Sequence, residues 1–234
     1  MKISFIGTGL MGFPMAKNLL QKNLDLKIFS RTLEKAKPLG QLGGKIINSL
    51  GKTVIDADII FTMLTDDDAV EKVLGDTEFL NNLKPSSTVI DMSSIKPKIA
   101  IKYGKLLKEI KINFLDAPVS GGTIGAEEAS LAIMVGGKQE VFDNVFDVLK
   151  IMGSPTLVGP IGSGQISKLA NQIIVGVTIG AVAEAITLCE KAGVDANKFI
   201  QALSGGFADG KILQNHGKRM IEKNFSPKGK VSTH

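Results

Sequence analysis

Lys2-Ile3-Ser4-Phe5-Ile6-Gly7-Thr8-Gly9-Leu10-Met11-Gly12 is the stretch from which the rest of the chain is read. Its first five residues are mostly apolar and predict a short buried strand. Gly7, Gly9 and Gly12 follow at G-x-G-x-x-G spacing, and Met11, Met15, Asn18 and Leu19 recur at helical intervals. Strand, glycine turn and helix, in that order, form the context in which this spacing signals dinucleotide binding. The first glycine allows a tight turn, the second lets the backbone approach a pyrophosphate, and the third lets the helix sit close to the strand. The N–H groups at the start of that helix, with the helix dipole behind them, suit a diphosphate. Pro14 lacks an N–H and is tolerated because it falls near the first helical turn.

Working outward, Leu24–Ser30, Lys45–Ile47, Ile59–Leu64, Thr88–Met92 and Lys111–Leu115 read as further strands. Helical patterns alternate with them. Thr32 stands where it caps one helix, Asp66-Asp67-Asp68 opens another with acids at its N-terminus, and Ser93 or Ser94 stands where it caps Pro97–Lys108. Strands alternating with helices predict an α/β fold, a Rossmann-type doubly wound and mostly parallel sheet. Ligands of such sheets bind beyond the carboxyl ends of the strands. The informative loops are therefore Gly7–Gly12, Ser30–Thr32, Thr65–Asp68, Ser93–Ser94 and Val119–Gly125.

Leu131–Val135 predicts one more strand, Gln139–Lys150 an amphipathic helix, and Ser154–Val158 a last edge strand. Gly159-Pro160-Ile161-Gly162-Ser163-Gly164 then breaks the composition. Beyond it Gln165–Ala192 reads as one helix, about 42 Å long at 1.5 Å per residue. Ala, Ile and Val occupy nearly all faces of its middle, which predicts burial on several sides. Asp195 caps a helix reaching Leu203, and Gly210–Lys223 is helical again. The domain boundary falls near residue 160: residues 1–160 form the dinucleotide-binding domain, and 161–234 an all-α domain begun by the long helix.

The 234 residues carry a net charge of +5, with hydrophobic content 44% and charged content 22%, the balance of a globular protein. No run of like charges marks a nucleic-acid surface. A modest positive field suits an anionic cofactor and an anionic substrate. Cys189 is the single cysteine, so no intrachain disulfide forms, and its apolar helical setting reads as a core thiol. With no secretory segment, cytoplasmic location is expected. The apolar run Ile173–Ala183 stops at Glu184, short of the ~20 residues of a membrane span, so no membrane partner is expected. His216 and His234 are the only histidines, and no paired Cys/His suggests a metal site.

Three features carry chemistry. Where dinucleotide folds that take the cofactor without a 2′-phosphate place Asp or Glu, this chain has Ser30-Arg31-Thr32. A guanidinium fork pairs with a phosphate, with hydroxyl donors on either side. Asp116-Ala117-Pro118-Val119-Ser120-Gly121-Gly122-Thr123 follows a strand and opens backbone N–H groups to an anion. In Gly162-Ser163-Gly164-Gln165-Ile166-Ser167-Lys168-Leu169-Ala170-Asn171-Gln172, Lys168 and Asn171 share a helix face beside the domain boundary. A lysine whose pKa burial brings toward neutrality serves as a general acid or base.

Four blocks, Phe5–Leu19, Asp91-Met92-Ser93-Ser94-Ile95, Asp116–Gly122 and Gly162–Gln172, resemble the β-hydroxyacid dehydrogenase family in the family's own order. The family groups 3-hydroxyisobutyrate dehydrogenase, tartronate semialdehyde (2-hydroxy-3-oxopropionate) reductase and glyoxylate/succinic semialdehyde reductases, and is related to 6-phosphogluconate dehydrogenase. The resemblance implies that Lys168 is the catalytic acid/base and that Ser120, Gly121 and Gly122 hold a substrate carboxylate. It implies that Asn171 contacts the substrate, and that Met63, Leu64 and Ser94 line a nicotinamide cofactor lying across Gly7, Thr8, Gly9, Leu10, Met11 and Gly12. Ser30, Arg31 and Thr32 point to NADP, with NAD the alternative.

Gln172 stands where many 3-hydroxyisobutyrate dehydrogenases have a second asparagine, and Lys-Leu-Ala-Asn-Gln is more similar to tartronate semialdehyde reductases. Family members continue past the equivalent of Asn224-Phe225-Ser226-Pro227 with more helices, whereas Lys228–His234 does not resemble that continuation. The expectation is thus an incomplete helical domain whose long helix, residues 165–192, pairs with a second copy as a dimer. The expected activity is hydride transfer between a nicotinamide cofactor and a small β-hydroxy or aldehyde acid, of tartronate semialdehyde or 3-hydroxyisobutyrate type. The alternatives are a glyoxylate/succinic semialdehyde reductase and a noncatalytic nucleotide-binding or interaction module.

Overall fold

The computed structural model describes residues 1–225. They fall into two compact units, one Met1–Lys168 and the other from Leu169 onward, so the division lies inside a helix rather than in the glycine-rich loop near residue 160.

In the first unit the apolar runs become strands and the amphipathic runs helices. In order these are β1 (Lys2–Ile6), α1 (Gly12–Gln21), β2 (Asp25–Phe29), α2 (Leu33–Gln41), β3 (Lys45–Ile46), α3 (Leu50–Val54), β4 (Ile59–Thr62), α4 (Asp67–Leu74), α5 (Thr77–Asn81) and β5 (Thr88–Asp91). There follow α6 (Pro97–Glu109), β6 (Asn113–Asp116), β7 (Val119–Ser120), α7 (Gly122–Glu127), β8 (Leu131–Gly136), α8 (Gln139–Lys150) and β9 (Gly153–Gly159). Six strands run parallel in the order β3-β2-β1-β4-β5-β6, the doubly wound arrangement. β8 joins β6 antiparallel through Asp116 and Gly136, and carries β7 antiparallel and β9 parallel.

The two faces follow the two-residue strand period. Ile3, Phe5, Ile59, Phe61 and Ile90 pack on one side with Met15 and Leu19 of α1, Leu39 of α2 and Val145 of α8. Ile6, Ile60 and Val89 pack on the other with Leu74 of α4, Phe79 of α5 and Leu107 of α6. Both faces being covered explains why these strands read as apolar runs rather than alternations. Because the six strands are parallel, the segments after β1, β2, β4, β5 and β6 emerge along one edge.

Local corrections concern caps and short elements. Neither Ser93 nor Ser94 caps α6: the Ser93 hydroxyl is bonded to Asp91 instead, and Lys96 holds the cap position without a side-chain cap bond. Thr32 stands at the cap of α2 without a side-chain bond. Asp66 does cap α4, accepting from the Ala69 N–H at 2.9 Å. Part of the expected loop Val119–Gly125 is β7 and the start of α7.

α9 (Ser163–Lys191) leads out of the first unit. The second unit adds α10 (Ala196–Ala202), capped by Asp195, and the expected last helical stretch, unbroken over residues 211–221, in which a π-helical segment Leu213–Gly217 leads into α11 (Lys218–Ile221). Its core gathers Val182, Ile186, Ala196, Ile200 and Leu213. The expected burial of the α9 middle on several sides does not hold among the described residues: Ile173, Ile174 and Val177 are 68%, 66% and 69% exposed. By length and composition α9 is also apolar enough to cross a membrane, which the unbroken run ending at Glu184 understated.

Candidate active site

The turn after β1 is built by close approach. Gly7 has φ +100°, a region that favours glycine, and a Cβ there would strike the Met63 carbonyl oxygen after β4. A Cβ on Gly12 would collide with the Gly7 carbonyl oxygen and crowd Phe5, so α1 sits directly against the turn. Gly9 is the opposite case: nothing lies within 4 Å of a Cβ placed there, and the residue is exposed. Thr8 is buried, yet its Oγ1 has no hydrogen-bond partner among the described residues. Leu10 is exposed and Met11 half-buried. An open glycine backbone beside an unsatisfied hydroxyl, at the N-terminus of a helix, fits an anionic ligand.

The Gly7 N–H donates to the Phe29 carbonyl at 2.9 Å, which brings the end of β2 next to this turn. Ser30 is buried there, and Arg31 and Thr32 are exposed. The Arg31 guanidinium makes no ion pair among the described residues. The turn and the unsatisfied Thr8 hydroxyl therefore suit an anionic ligand, and Arg31 follows the neighbouring strand end.

The neighbouring strand ends are tied by a buried carboxylate. Asp91 closes β5 beside Thr62 of β4 and Asp116 of β6, its register partners. Its Oδ1 accepts from Thr62 Oγ1 at 2.7 Å, Ser93 Oγ at 2.6 Å and the Ser93 N–H at 3.2 Å. Ser93 Oγ in turn accepts from the Leu64 N–H at 2.9 Å. Asp91 thus sets the segments carrying Met63, Leu64 and Ser94 at once. Oδ2 has no partner among the described residues, and burial pushes the carboxyl up to about 6.

At the far side of this edge, Ser120 ends β7, and Gly121 and Gly122 follow with φ +142° and +63°. Both glycines are exposed, and nothing lies within 4 Å of a Cβ placed on Gly122, so that backbone stands open to a ligand. Asn18 of α1 is buried and donates from Nδ2 to the Ala126 carbonyl at 2.7 Å. This bond holds α7, and the turn that opens it, against the glycine-turn helix.

Asp116 does for the start of α9 what Asp91 does for the loops. Its Oδ1 accepts from the Gly162 N–H at 2.7 Å and its Oδ2 from the Gln165 N–H at 2.9 Å. The carboxyl is raised by burial, which these backbone donors offset in part. Gln165, itself buried, accepts the Ile95 N–H at 3.0 Å and donates to the Ser93 carbonyl at 2.8 Å. Lys168 follows one helical turn later. Its side chain makes no ion pair or hydrogen bond among the described residues, and burial pulls its pKa below the ordinary 10.5. Asn171, three residues on and in the second unit, donates from Nδ2 to Gln172 Oε1 at 3.0 Å.

The structure thus gathers Gly7–Gly12, Met63–Leu64, Ser93–Ser94 and the Lys168 turn of α9 through direct bonds and contacts, and ties the Ser120–Gly122 turn to α1. Asp91, Asn18, Asp116 and Gln165 lie within the quoted blocks, but the motif reading gives them no role. A buried polar residue at a strand end is the signal that points to the two aspartates, whereas the Gln165 and Asn18 bonds cross long sequence separations and leave no local trace.

A family profile described as the NAD binding domain of 6-phosphogluconate dehydrogenase matches residues 2–167. A second, described as NAD-binding of NADP-dependent 3-hydroxyisobutyrate dehydrogenase, matches residues 162–234. The chain is 42% identical to 2-hydroxy-3-oxopropionate reductase of Escherichia coli (strain K12), over 100% of its own length and 80% of that relative's. Among solved structures, the Mycobacterium tuberculosis 3-hydroxyisobutyrate dehydrogenase with L-serine superposes with a TM-score of 0.83 at 31% identity, covering 92% of this chain and 73% of that one. A 3-hydroxyisobutyrate dehydrogenase from Salmonella typhimurium shares the fold at 24% identity and a TM-score of 0.87, over 100% and 82% of the two chains. With a nicotinamide-binding half and a helical half each matched in this way, the chain belongs to the β-hydroxyacid dehydrogenase family.

Proposed function

We propose that the protein interconverts a small aldehyde acid and its β-hydroxy acid, of tartronate semialdehyde or 3-hydroxyisobutyrate type, with NADP(H), and that Lys168 is its general acid/base. The observation that carries this reading is Lys168 itself. It is a desolvated lysine, without an ion pair or hydrogen bond among the described residues, one turn beyond the residue that grips the Ser93–Ile95 loop.

The Gly7–Gly12 turn and the start of α1 would hold the cofactor's diphosphate, with Thr8 Oγ1 as a further donor. Met63, Leu64 and Ser94 would line its nicotinamide, and Arg31, flanked by Ser30 and Thr32, would pair with the 2′-phosphate. The cofactor supplies the hydride in reduction and receives it in oxidation. In reduction, the Ser120 hydroxyl and the N–H groups of Gly121 and Gly122 anchor the substrate carboxylate and present its carbonyl. Lys168 Nζ gives a proton to the carbonyl oxygen, and in oxidation the neutral amine takes it back. The lowered pKa of Lys168 serves both directions, since it makes the ammonium more acidic and the amine available nearer neutral pH. Asn171, three residues on along α9, is the further substrate contact of this reading.

The exposed apolar length of α9 is read as the seat of a second copy in a symmetric dimer, with no nucleic-acid or membrane partner and a cytoplasmic location. Cofactor choice is tested with Arg31→Glu. The affinity for NADPH falls on the order of tenfold to a hundredfold while that for NADH changes little. Equal effects on both cofactors overturn the 2′-phosphate assignment.

A further inference from the structure

We infer that Gln165 is the positioning residue that fixes the Lys168 turn of α9 to the loop carrying Ser94. The inference rests on the function proposed for Lys168 and adds the device that holds the lysine in place.

Three bonds converge on this one residue. Its backbone N–H goes to Asp116 Oδ2 at 2.9 Å, its Oε1 takes the Ile95 N–H at 3.0 Å, and its Nε2 gives to the Ser93 carbonyl at 2.8 Å. The side chain is 1% exposed, so both ends of the amide are satisfied by protein in a site closed to water. An amide is the side chain that offers one acceptor and one donor in this planar arrangement. The two partners flank Ser94, so the clamp holds that residue on both sides. From the opposite side Asp91 holds Ser93, and through it Leu64. The loop is thus pinned between the strand ends and the first turn of α9.

Lys168 stands three positions after Gln165, which places both on neighbouring positions of one helix face. Whatever sets Gln165 therefore sets the origin of the lysine side chain relative to Ser94. Reacting groups tolerate little error, and a displacement of about 1 Å costs on the order of a hundredfold in rate. A loosened clamp also lets water reach Lys168, whose lowered pKa has burial as its cause.

The test compares Gln165→Met, which keeps the length and loses both bonds, with Gln165→Glu. The glutamate keeps an acceptor for the Ile95 N–H. Its second oxygen donates to the Ser93 carbonyl when protonated and opposes it when ionised. Two readouts are taken: kcat and KM for NADPH on a turned-over semialdehyde, and the titration midpoint of Lys168 in the protein without cofactor, by competitive amine labelling and mass spectrometry. Gln165→Met is expected to lower kcat about ten- to a hundredfold with KM for NADPH within about threefold, and to move the Lys168 midpoint up toward 10.5. Gln165→Glu is expected to recover kcat as pH falls, which a purely structural role does not produce.

A kcat within about threefold of the parent, or a Lys168 midpoint that stays in place in both variants, overturns the assignment. The labelling arm needs no turnover. A substrate panel without activity, or turnover that survives Lys168→Ala, therefore counts against the proposed function and leaves the Gln165 clamp to be judged on the midpoint.

Discussion

The carboxyl edge of the sheet and the middle of α9 solve opposite problems. At the edge, polar groups are buried and, apart from Thr8 Oγ1 and Asp91 Oδ2, paired: Asp91, Asp116 and Gln165 each bond to backbone or hydroxyl groups and draw loops together. Along α9, apolar groups stand in the open, with Ile173, Ile174 and Val177 each more than half exposed. Burying polar groups is tolerated only when they are bonded, and exposing a row of apolar ones leaves favourable burial unclaimed. This contrast is the basis on which the proposed function puts ligand chemistry at the sheet edge and association on the helix.

The largest effect that separates the two regions concerns assembly. Changing Ile173 and Ile174 together to Asp is expected to leave the melting temperature of the Met1–Lys168 unit in place and to weaken self-association by more than a hundredfold, read by sedimentation. Unaltered sedimentation of the doubly substituted protein, or a parent that stays monomeric and binds lipid vesicles, breaks the assignment of this face to a second copy.

A smaller effect sharpens the account of the sheet edge. Asp91 is fully buried and its pKa is raised from 3.8 to about 6, so the folded chain holds this proton more tightly than the unfolded chain. Its contribution is therefore most favourable below pH 4 and declines as pH rises through 6. Asp91→Asn removes that dependence. The stability of the variant relative to the parent should rise by on the order of 2 kcal/mol between pH 4 and pH 7, followed by denaturant melts. A difference that does not vary with pH contradicts the burial assigned to this carboxyl.

The two regions also differ in how far the sequence discloses them. The glycine spacing, the alternation of strands and helices and the acid-capped α4 are local patterns, and the parallel sheet emerges with strand ends within a few residues of their expected places. Gly7 and Gly12 are legible because close packing forbids a Cβ there. Lys168 and the Ser120–Gly122 turn stand out by resemblance to the family blocks more than by their own chemistry. The Gln165 and Asn18 bonds join residues far apart in the chain, so no window of sequence holds both partners. Ser93 shows why a cap prediction fails: a hydroxyl beside a buried carboxylate bonds to it instead of to a helix end. The apolar middle of α9 predicts burial on several sides, and among the described residues that expectation fails, because composition alone does not say which surface covers a helix.

The most direct test of the central claim is the pH dependence of semialdehyde reduction with NADPH in the parent and in Lys168→Ala. The account predicts that parent kcat/KM falls on an alkaline limb whose midpoint lies below 10.5, that kcat drops by about a hundredfold or more in Lys168→Ala with NADPH binding kept, and that the limb disappears with the lysine. A variant that keeps kcat within a few-fold of the parent, or that keeps the same alkaline limb, contradicts a proton-transfer role for Lys168.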